Sequence, residues 1–384
     1  MAHYLRCLCI ADALRDDFDI YFVDSKEYAD LIHLHGFKTL EYQHPEVNEI
    51  LEKAGSFNFD WINSHSIRSM FDAQLDIVQR YKPDFVFSDT SLTLPMAAEY
   101  ANIPVISIMN AYVSNYYADI RPLPYSHTAY KYQFKLKPAV WEKVLKTAEK
   151  ASMKFVHRPF ARLRKELNLS KKQWLLDEFE GDFNLLCDLP ELFPTHELPE
   201  NFTTIGPAIF HANRNEENLL HWVKPEDDRP LVYLSLGSSG AVVNLDFLTK
   251  SEALNYRFII TGTTQIANAE NIQYQKFVDF EQIQEFVDLY VSHGGNGSIY
   301  QALAAGIPLI LIPAFFEQEW NAHRVQKLQI GTVLHPNEIS NVYAHMHALT
   351  KAGKSDRGLE FQEIIQNNTF KKQVVSAVNA FLKS

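Results

Sequence analysis

Apolar residues near the start of the chain first repeat with the spacing of a helix and then form short continuous runs. The helical spacing covers 5–14, where the apolar positions include Leu5, Leu8, Ile10, Ala13 and Leu14. The apolar run at 19–23 predicts a short buried strand. The same alternation returns as a strand at 84–89, a helix at 96–100 and a strand at 103–108. Helices between short apolar strands predict a parallel sheet, so we expect the first half to be α/β.

The second half repeats this pattern after a polar, irregular stretch at 201–229 that has the composition of an interdomain linker. Four apolar runs follow, each ending near a glycine or proline turn, at 231–235, 258–261, 289–292 and 308–312. They predict a second α/β unit. A chain of 384 residues also exceeds what one compact core usually holds, which favours two domains.

Composition and charge exclude several classes of protein. With 46% hydrophobic and 22% charged residues, the chain can build folded cores and lacks the composition of a disordered protein. A formal net charge of −11 argues against nucleic acid as a partner, because phosphate binding needs a basic surface. Three cysteines without Cys-x-x-Cys spacing indicate neither a disulfide framework nor a thiolate metal site. We therefore expect a reducing, cytoplasmic location.

The sequence also predicts neither a membrane span nor a secretory signal. Its longest apolar stretch, 302–316, is interrupted by glycine and proline and is shorter than the roughly 20 helical residues that a bilayer requires. The N-terminus lacks the long apolar region of a signal peptide. Residues 131–172 nevertheless carry 13 basic and three acidic residues, a net charge of +10. This basic segment is either a solvated helical face or a peripheral contact for an anionic acceptor or the inner face of a membrane.

Eight of the 14 glycines fall between 237 and 331, mostly where predicted strands end. One glycine loop, 235–240, closes the first strand of the second unit, and another, 292–298, lies between a strand and a helix predicted at 299–305. A strand, a glycine loop and a helix form an anion site, because backbone N–H groups and the helix dipole face the ligand. A diphosphate is the expected ligand. The loops match neither the Walker A nor the Gly-x-Gly-x-x-Gly pattern, so ATP hydrolysis and hydride transfer lose support.

Three motifs between 277 and 325 resemble the nucleotide-sugar glycosyltransferases of the GT-B fold, family 1, including the UDP-glycosyltransferase and macrolide glycosyltransferase branch. They are His293-Gly-Gly-x-Gly-Ser298, Ala304-Ala-Gly-Ile-Pro308 and Glu317-Gln318-x-x-Asn321-Ala322. The resemblance implies two Rossmann-like parallel-sheet domains facing a cleft. The acceptor-binding domain would be 1–224 and the donor-binding domain 225–384, with the final helix, 370–383, packing back on the first domain.

The resemblance also assigns roles in diphosphate and sugar binding. It implies that His293 contacts the diphosphate and that the loop at Gly295, with the amides of Gly297 and Ser298, holds the distal phosphate. Ser238 would face the same group from the Gly237 loop. Glu317 and Gln318 match the acidic-Gln pair that hydrogen-bonds sugar hydroxyls. No metal ion and no cofactor are implied, because the nucleotide sugar is itself a substrate and helix and hydrogen-bond donors can stabilise the leaving diphosphate.

Further residues are implied to bind the nucleoside. Phe277 stands where the family places an aromatic ring over the base, and Val278 would offer its backbone to the base edge. Gln301 occupies the position of a family Glu that binds both ribose hydroxyls. An amide can bridge hydroxyls but carries no charge. The resemblance implies a UDP-sugar donor, and the uncharged Gln301 leaves open a deoxyribose donor such as a dTDP-sugar.

The proposed catalytic pair lies in the first domain. Inverting transfer needs a base for the acceptor hydroxyl, and a histidine held by a carboxylate suits neutral pH. The resemblance aligns His3 with the base, in a turn that follows the first strand, and Asp89 with the residue that orients it. The alternative is that His3 is a terminal residue with no partner. The first strand of this domain is absent from the sequence pattern.

Three functions follow from these residues. The first is a glycosyltransferase, of the hexosyltransferase type, that moves a sugar from a nucleotide sugar to a hydroxyl of a small-molecule or lipid acceptor. The second is a nucleotide-sugar hydrolase of the same fold, because 3–14 also resembles the opening of such hydrolases. The third is a nucleotide-sugar-binding protein with impaired catalysis.

Overall fold

The computed structural model describes residues 2–25, 28–42, 59–212, 216–223, 227–237, 245–262 and 265–383. Contacts between residues divide the chain into two compact units. The N-terminal unit comprises His3–Ala208 with Thr369–Ser384, and the C-terminal unit is mainly Ile209–Asn368. The domain boundary expected between 224 and 225 stays a prediction.

Among its described residues, the N-terminal unit contains two parallel sheets and six α-helices before the linker. Its strands are β1 (Tyr21–Val23), β2 (Lys38–Leu40), β3 (Val86–Asp89), β4 (Val105–Met109), β5 (Phe183–Leu186) and β6 (Phe202–Thr204). Its helices are α1 (Ala2–Leu14), α2 (Ala29–Leu34), α3 (Ser64–Tyr81), α4 (Leu94–Ala101), α5 (Pro138–Val156) and α6 (Arg158–Glu166). Strands β1 and β2 pair with each other, while β3, β4, β5 and β6 form the second sheet in that order. Within the described residues, no strand pairs with members of both sheets.

The described residues of the C-terminal unit form one six-stranded parallel sheet. Its strands are β7 (Leu231–Ser235), β8 (Arg257–Thr261), β9 (Ile272–Gln275), β10 (Leu289–Ser292), β11 (Leu309–Leu311) and β12 (Thr332–Val333). Its helices are α7 (Glu217–Val223), α8 (Phe280–Ile283), α9 (Asn296–Ala304), α10 (Phe316–Lys327), α11 (Val342–Ala352) and α12 (Asp356–Gln366). A final helix, α13 (Phe370–Phe381), belongs to the N-terminal unit.

The strand order of this sheet positions the candidate site. From one edge to the other the order is β9, β8, β7, β10, β11 and β12. The chain therefore builds outward from β7 in one direction, then returns to place β10 on the other side of β7. In such doubly wound sheets ligands bind outside the carboxyl ends of the strands at the point where the order reverses. Here that point lies between the last residues of β7 and β10, Ser235 and Ser292, which are register partners.

Each unit has its own hydrophobic core. In the N-terminal unit, Ile106 and Leu185 of the sheet pack with Ile10 of α1 and with Val374 and Val378 of α13. In the C-terminal unit, the buried faces of the strands pack with α11 and with the chain that links β7 to β8. Burying each large aliphatic side chain contributes about 1.5–3 kcal/mol. These observations confirm the mixed α/β architecture with parallel sheets that the apolar pattern predicts.

A buried ionic cluster fixes α6 within the N-terminal unit. Arg164 donates from Nε to both carboxylate oxygens of Glu178, at 2.9 Å each, and His157 Nε2 lies 2.7 Å from Glu178 Oε1. These three residues are at most 3% exposed. Burial alone would raise the pKa of Glu178, but His157 and Arg164 outweigh it and lower the pKa. The carboxylate therefore stays ionised and holds α6 in place.

Candidate active site

The chain after β10 forms a turn and a helix that together suit an anion. Gly294 has φ +88°, a conformation that glycine adopts without strain, and α9 begins two residues later at Asn296. The N–H groups in the first turn of an α-helix have no partner within the helix, and the helix dipole is positive there. The predicted phosphate-binding residues Gly297 and Ser298 lie in this first turn. They are thus part of the helix, which begins three residues earlier than predicted.

His293 is enclosed between the two glycine loops. Its side chain is buried, and Nδ1 lies 3.3 Å from the Ser235 carbonyl oxygen, so Nδ1 must be the donor of that bond. A Cβ atom at Gly237 would lie 2.6 Å from His293 Cε1, and one at Gly295 would lie 3.1 Å from Nε2. Only glycine therefore leaves room for the ring on both sides. Burial lowers the pKa of His293, so the imidazole is neutral near pH 7.

A set of hydroxyl and amide groups lies behind this loop. The hydroxyls of Ser235 and Ser298 are 3.4 Å apart, which connects the end of β7 to α9. The Tyr290 hydroxyl donates to Gln301 Oε1 at 2.9 Å. Burial raises the pKa of Tyr290 to about 12, so this donor stays protonated. Because the side-chain carbonyl of Gln301 accepts the Tyr290 hydrogen bond, the Gln301 amide N–H groups are the donors that remain for a ribose hydroxyl.

The predicted sugar-binding pair begins α10. Gln318 is buried, and its Oε1 accepts hydrogen bonds from the backbone N–H groups of Ala314 and Phe315, at 2.8 and 3.2 Å. This leaves the Gln318 amide group as a donor, while the neighbouring Glu317 is exposed. Asn321, one turn further along α10, donates from Nδ2 to the Gly294 carbonyl at 2.9 Å and is fully buried. Asn321 thus holds the glycine loop, a role that its place in the motif did not reveal.

The remaining donor-site residues differ in how they are placed. Phe277 follows β9 and is half-buried, with its ring 6.0 Å from that of Phe210 in an edge-to-face arrangement. Val278 is buried next to it. Gly297 is exposed, and a Cβ atom there would meet nothing within 4 Å. Ser238 lies outside the described residues.

The candidate catalytic pair forms a direct contact in the N-terminal unit. His3 Nδ1 lies 2.8 Å from Asp89 Oδ1, and the His3 side chain is 59% exposed whereas that of Asp89 is 4% exposed. His3 therefore has a partner, and the alternative of an unpaired terminal residue is wrong. The expected position of His3 in a turn after a strand is also wrong, because His3 lies in the first turn of α1. With Nδ1–H donated to the carboxylate, Nε2 carries the lone pair that a general base requires.

A third residue, Arg6, contacts the pair of His3 and Asp89, and the sequence did not reveal it. Its Nε donates to Asp89 Oδ2 at 2.7 Å, and its Nη2 contacts the other carboxylate oxygen. The Thr90 hydroxyl also donates to Asp89 Oδ1, at 2.8 Å. Burial alone would raise the pKa of Asp89, but the Arg6 and His3 contacts outweigh it and hold that pKa far below its usual range. Asp89 is therefore a permanent carboxylate, fixed by Arg6 as well as by His3.

Among the described residues, no group of three or more histidine, cysteine, aspartate or glutamate side chains is arranged to hold a metal ion. In the same part of the chain, no helix is both long and apolar enough to cross a membrane.

Comparisons with known proteins agree with these features. The model of the glycosyltransferase family 28 C-terminal domain matches residues 248–376. A PGL/p-HBAD biosynthesis glycosyltransferase of Mycobacterium tuberculosis is 26% identical over 361 residues, which cover 88% of this chain and 79% of that protein. A PGL/p-HBAD biosynthesis rhamnosyltransferase of Mycobacterium bovis is 26% identical over 360 residues, 89% of this chain and 76% of that protein.

Two solved structures extend the likeness to the whole chain. The spinosyn forosaminyltransferase SpnP has a TM-score of 0.68 and 12% identity, covering 100% of this chain and 96% of that one. The glycosyltransferase VinC in complex with DTDP has a TM-score of 0.65 and 15% identity, covering 100% and 97%. The chain is a glycosyltransferase with the GT-B fold. The matching family model is that of family 28, and membership of family 1 stays a prediction.

In this glycosyltransferase, the structure groups the predicted residues into two sets. His293, Gly295, Gly297 and Ser298 lie together at the carboxyl ends of β7 and β10, next to Gln301 and the start of α10. His3 and Asp89 form the second set, in the N-terminal unit. Their individual roles in binding and catalysis stay predictions.

Proposed function

We propose that this glycosyltransferase moves a sugar from a nucleoside diphosphate sugar to a hydroxyl group of a small-molecule or lipid acceptor, with inversion and without a metal ion. The observation that carries the proposal is the placement of His293 and the first turn of α9 at the point where the strand order reverses. This arrangement offers backbone N–H groups and a helix dipole to a diphosphate. The same groups would stabilise the charge that develops on the departing diphosphate.

The pair His3 and Asp89 supports a single displacement. In this step the acceptor oxygen forms a bond to the anomeric carbon while the bond from that carbon to the diphosphate oxygen breaks. The acceptor proton passes to His3 Nε2, and the nucleoside diphosphate leaves with the electron pair. Asp89, held by Arg6, would stabilise the imidazolium that forms. One displacement at the anomeric carbon inverts its configuration.

The choice of nucleotide depends on Gln301. The sequence favours a UDP-sugar, in which the ribose has two free hydroxyls. Gln301 is neutral, and its carbonyl already accepts the Tyr290 hydroxyl, so it gives less support to a second ribose hydroxyl than a glutamate would. VinC, one of the structural neighbours, is named in complex with DTDP. We therefore propose UDP-sugars and dTDP-sugars as the two donor classes to compare.

The curated relatives bear on the sugar and the acceptor. The Mycobacterium bovis relative is named a rhamnosyltransferase, and both curated relatives are named for PGL/p-HBAD biosynthesis. These names support a transfer in the biosynthesis of a larger glycosylated product. A deoxyhexose such as rhamnose is the sugar to try first on each nucleotide.

The test is a transfer assay with the full chain, in which UDP- and dTDP-sugars are offered with and without a panel of hydroxyl acceptors. We expect acceptor-dependent release of nucleoside diphosphate and a product heavier than the acceptor by one sugar. His3→Ala should lower turnover by about 100-fold or more, because it removes the base. His33→Ala, which changes another exposed histidine of the same unit, should leave turnover unchanged.

Two outcomes would contradict the transferase proposal. Release of free sugar at the same rate with and without acceptor would identify a nucleotide-sugar hydrolase. Tight binding of nucleotide sugar without turnover, unchanged by His3→Ala, would identify a binding protein with impaired catalysis.

A further inference from the structure

An unusual share of the exposed apolar surface lies within the basic segment. Thirteen large apolar side chains are exposed among the described residues, and five of them fall between 132 and 155. They are Tyr132, Leu136, Val140, Val144 and Phe155, with exposed fractions from 42% to 62%. Single exposed apolar residues need no explanation, but a cluster of this kind marks an interaction surface.

The helix geometry of α5 aligns three of these side chains. At about 100° per residue, Val140, Val144 and Phe155 fall within about 60° of one another around the helix axis. Ala148 and Ala151, also exposed, lie between them on the same stripe. The side of α5 that faces the unit carries its one fully buried residue, Leu145. The apolar stripe is therefore not part of the core.

Positive charge borders this stripe. Lys143, Lys150 and Lys154 are exposed and lie together on one flank of α5. Lys131 and Lys135 sit over the Tyr132 ring, each with Nζ 5.4 Å from its centroid. Eleven of the 13 basic residues of the segment are exposed, the exceptions being Arg164, which is buried, and Lys172, which is half-buried. These eleven basic side chains therefore point into the solvent and do not form buried ion pairs.

We propose that this basic apolar face, formed by Val140, Val144 and Phe155 of α5 and by the lysines beside them, docks on the surface of an anionic lipid bilayer. An apolar stripe next to exposed lysines is the pattern of a helix that lies in the headgroup region of such a membrane. The apolar side chains, Phe155 included, enter the acyl boundary, and the lysines remain at the level of the lipid phosphates.

Charge decides between a membrane and other occupants. The protein as a whole carries −11, so an anionic surface repels most of it and attracts this segment, which carries +10. A second copy docking through the same face by a two-fold axis would bring +10 against +10, which is unfavourable. A soluble anion such as a free nucleotide would use the lysines but leave the apolar stripe in water. A bilayer satisfies both features at once.

The test is vesicle cosedimentation of the full chain, without donor or acceptor, so its result does not depend on the transfer reaction. Neutral phosphatidylcholine vesicles are compared with vesicles that contain about 30% phosphatidylglycerol. We expect binding to the anionic vesicles only, weakened when NaCl is raised from about 0.1 to about 0.5 M. The triple variant Lys143→Gln/Lys150→Gln/Lys154→Gln should bind about 100-fold more weakly, because each lysine near the surface contributes about fivefold.

Two matched controls distinguish the loss of this face from a general loss of positive charge and from a general loss of exposed apolar surface. Lys351→Gln/Lys371→Gln/Lys372→Gln removes the same charge from exposed positions outside the segment and should bind like the unchanged protein. Phe155→Ser should weaken vesicle binding, whereas Leu254→Ser, at an equally exposed position of the other unit, should not. Circular dichroism confirms that each variant is folded.

Several results would overturn the proposal. They are equal binding to neutral and anionic vesicles, equal losses from both triple variants, and an unchanged affinity of Phe155→Ser. A dimer in solution that dissociates in Phe155→Ser would instead assign the face to a second copy. Failure of the transfer assay with normal vesicle binding would contradict the proposed function and leave this inference standing.

Discussion

Donor affinity should depend on pH through His293. In the free protein burial keeps the pKa of this histidine below its ordinary value, and Nδ1 donates to the Ser235 carbonyl. Nε2 must then gain a proton before it can donate to a phosphate oxygen. Bound phosphate would favour the imidazolium, so binding takes up as much as one proton per site.

The sign and size of this effect follow from linkage. The bound state has the higher pKa, so affinity is greatest at low pH and is lost as pH rises through that bound-state pKa. Between the free-state and bound-state pKa values, affinity should fall by up to about tenfold for each pH unit. The window therefore begins below the ordinary histidine pKa of about 6.5 and ends at the bound-state pKa.

The assay is isothermal titration calorimetry with an intact nucleotide sugar, whose phosphates stay ionised across this range. Measurement in two buffers of different ionisation enthalpy counts the protons taken up. His293→Gln keeps a donor but does not titrate, so its affinity should be weaker at low pH and should not vary between about pH 6 and about pH 8. A flat affinity and no proton uptake in the unchanged protein would refute this role of His293.

Two further changes test the N-terminal unit. Asp89→Asn should lower turnover by about 100-fold or more, because the neutral amide no longer stabilises the His3 imidazolium, while donor affinity changes by about twofold at most. Steady-state kinetics measure the turnover and calorimetry measures the affinity. A loss of donor affinity equal to the loss of turnover would contradict the assignment. Arg164→Met should destabilise the unit by about 3–5 kcal/mol in urea unfolding, since it leaves the fully buried Glu178 carboxylate without its main partner. Arg162→Met, at an exposed position two residues earlier in α6, is the control and should change stability by less than about 0.5 kcal/mol.

In the C-terminal unit the apolar pattern predicted the four interior strands and missed the two at the sheet edges, whereas in the N-terminal unit it also missed the interior strand β5. β7 and β10 are buried along nearly their whole length, so they appear in the sequence as continuous apolar runs at 231–235 and 289–292. β9, at the sheet edge, has one buried residue among four and alternates with glutamine, and β12 is two residues long. Such edge strands depend on pairing with a neighbour more than on their own composition.

The sequence predicted those parts of the candidate site whose residues are contiguous. It did not predict the contacts between residues that are far apart in the sequence and that the fold brings together. The glycine loop, His293 and the first turn of α9 are contiguous, and their spacing revealed them. Arg6 and Asp89 are 83 residues apart and meet only because α1 lies beside the end of β3. The pairing of Gln301 with Tyr290 also needed the structure, since it depends on which way both side chains point.

The central claim is that the loop at 293–298 holds the diphosphate of the donor, and calorimetric titration of UDP and of dTDP against Gly297 variants tests it most directly. A Cβ atom at 297 would meet no atom within 4 Å outside its own stretch of helix, so we expect a side chain there to enter the space assigned to the ligand without disturbing the fold. We predict that Gly297→Ala weakens nucleotide binding moderately and that Gly297→Val abolishes it, with both variants as stable as the unchanged protein. Normal binding of both nucleotides by a folded Gly297→Val variant would contradict the account.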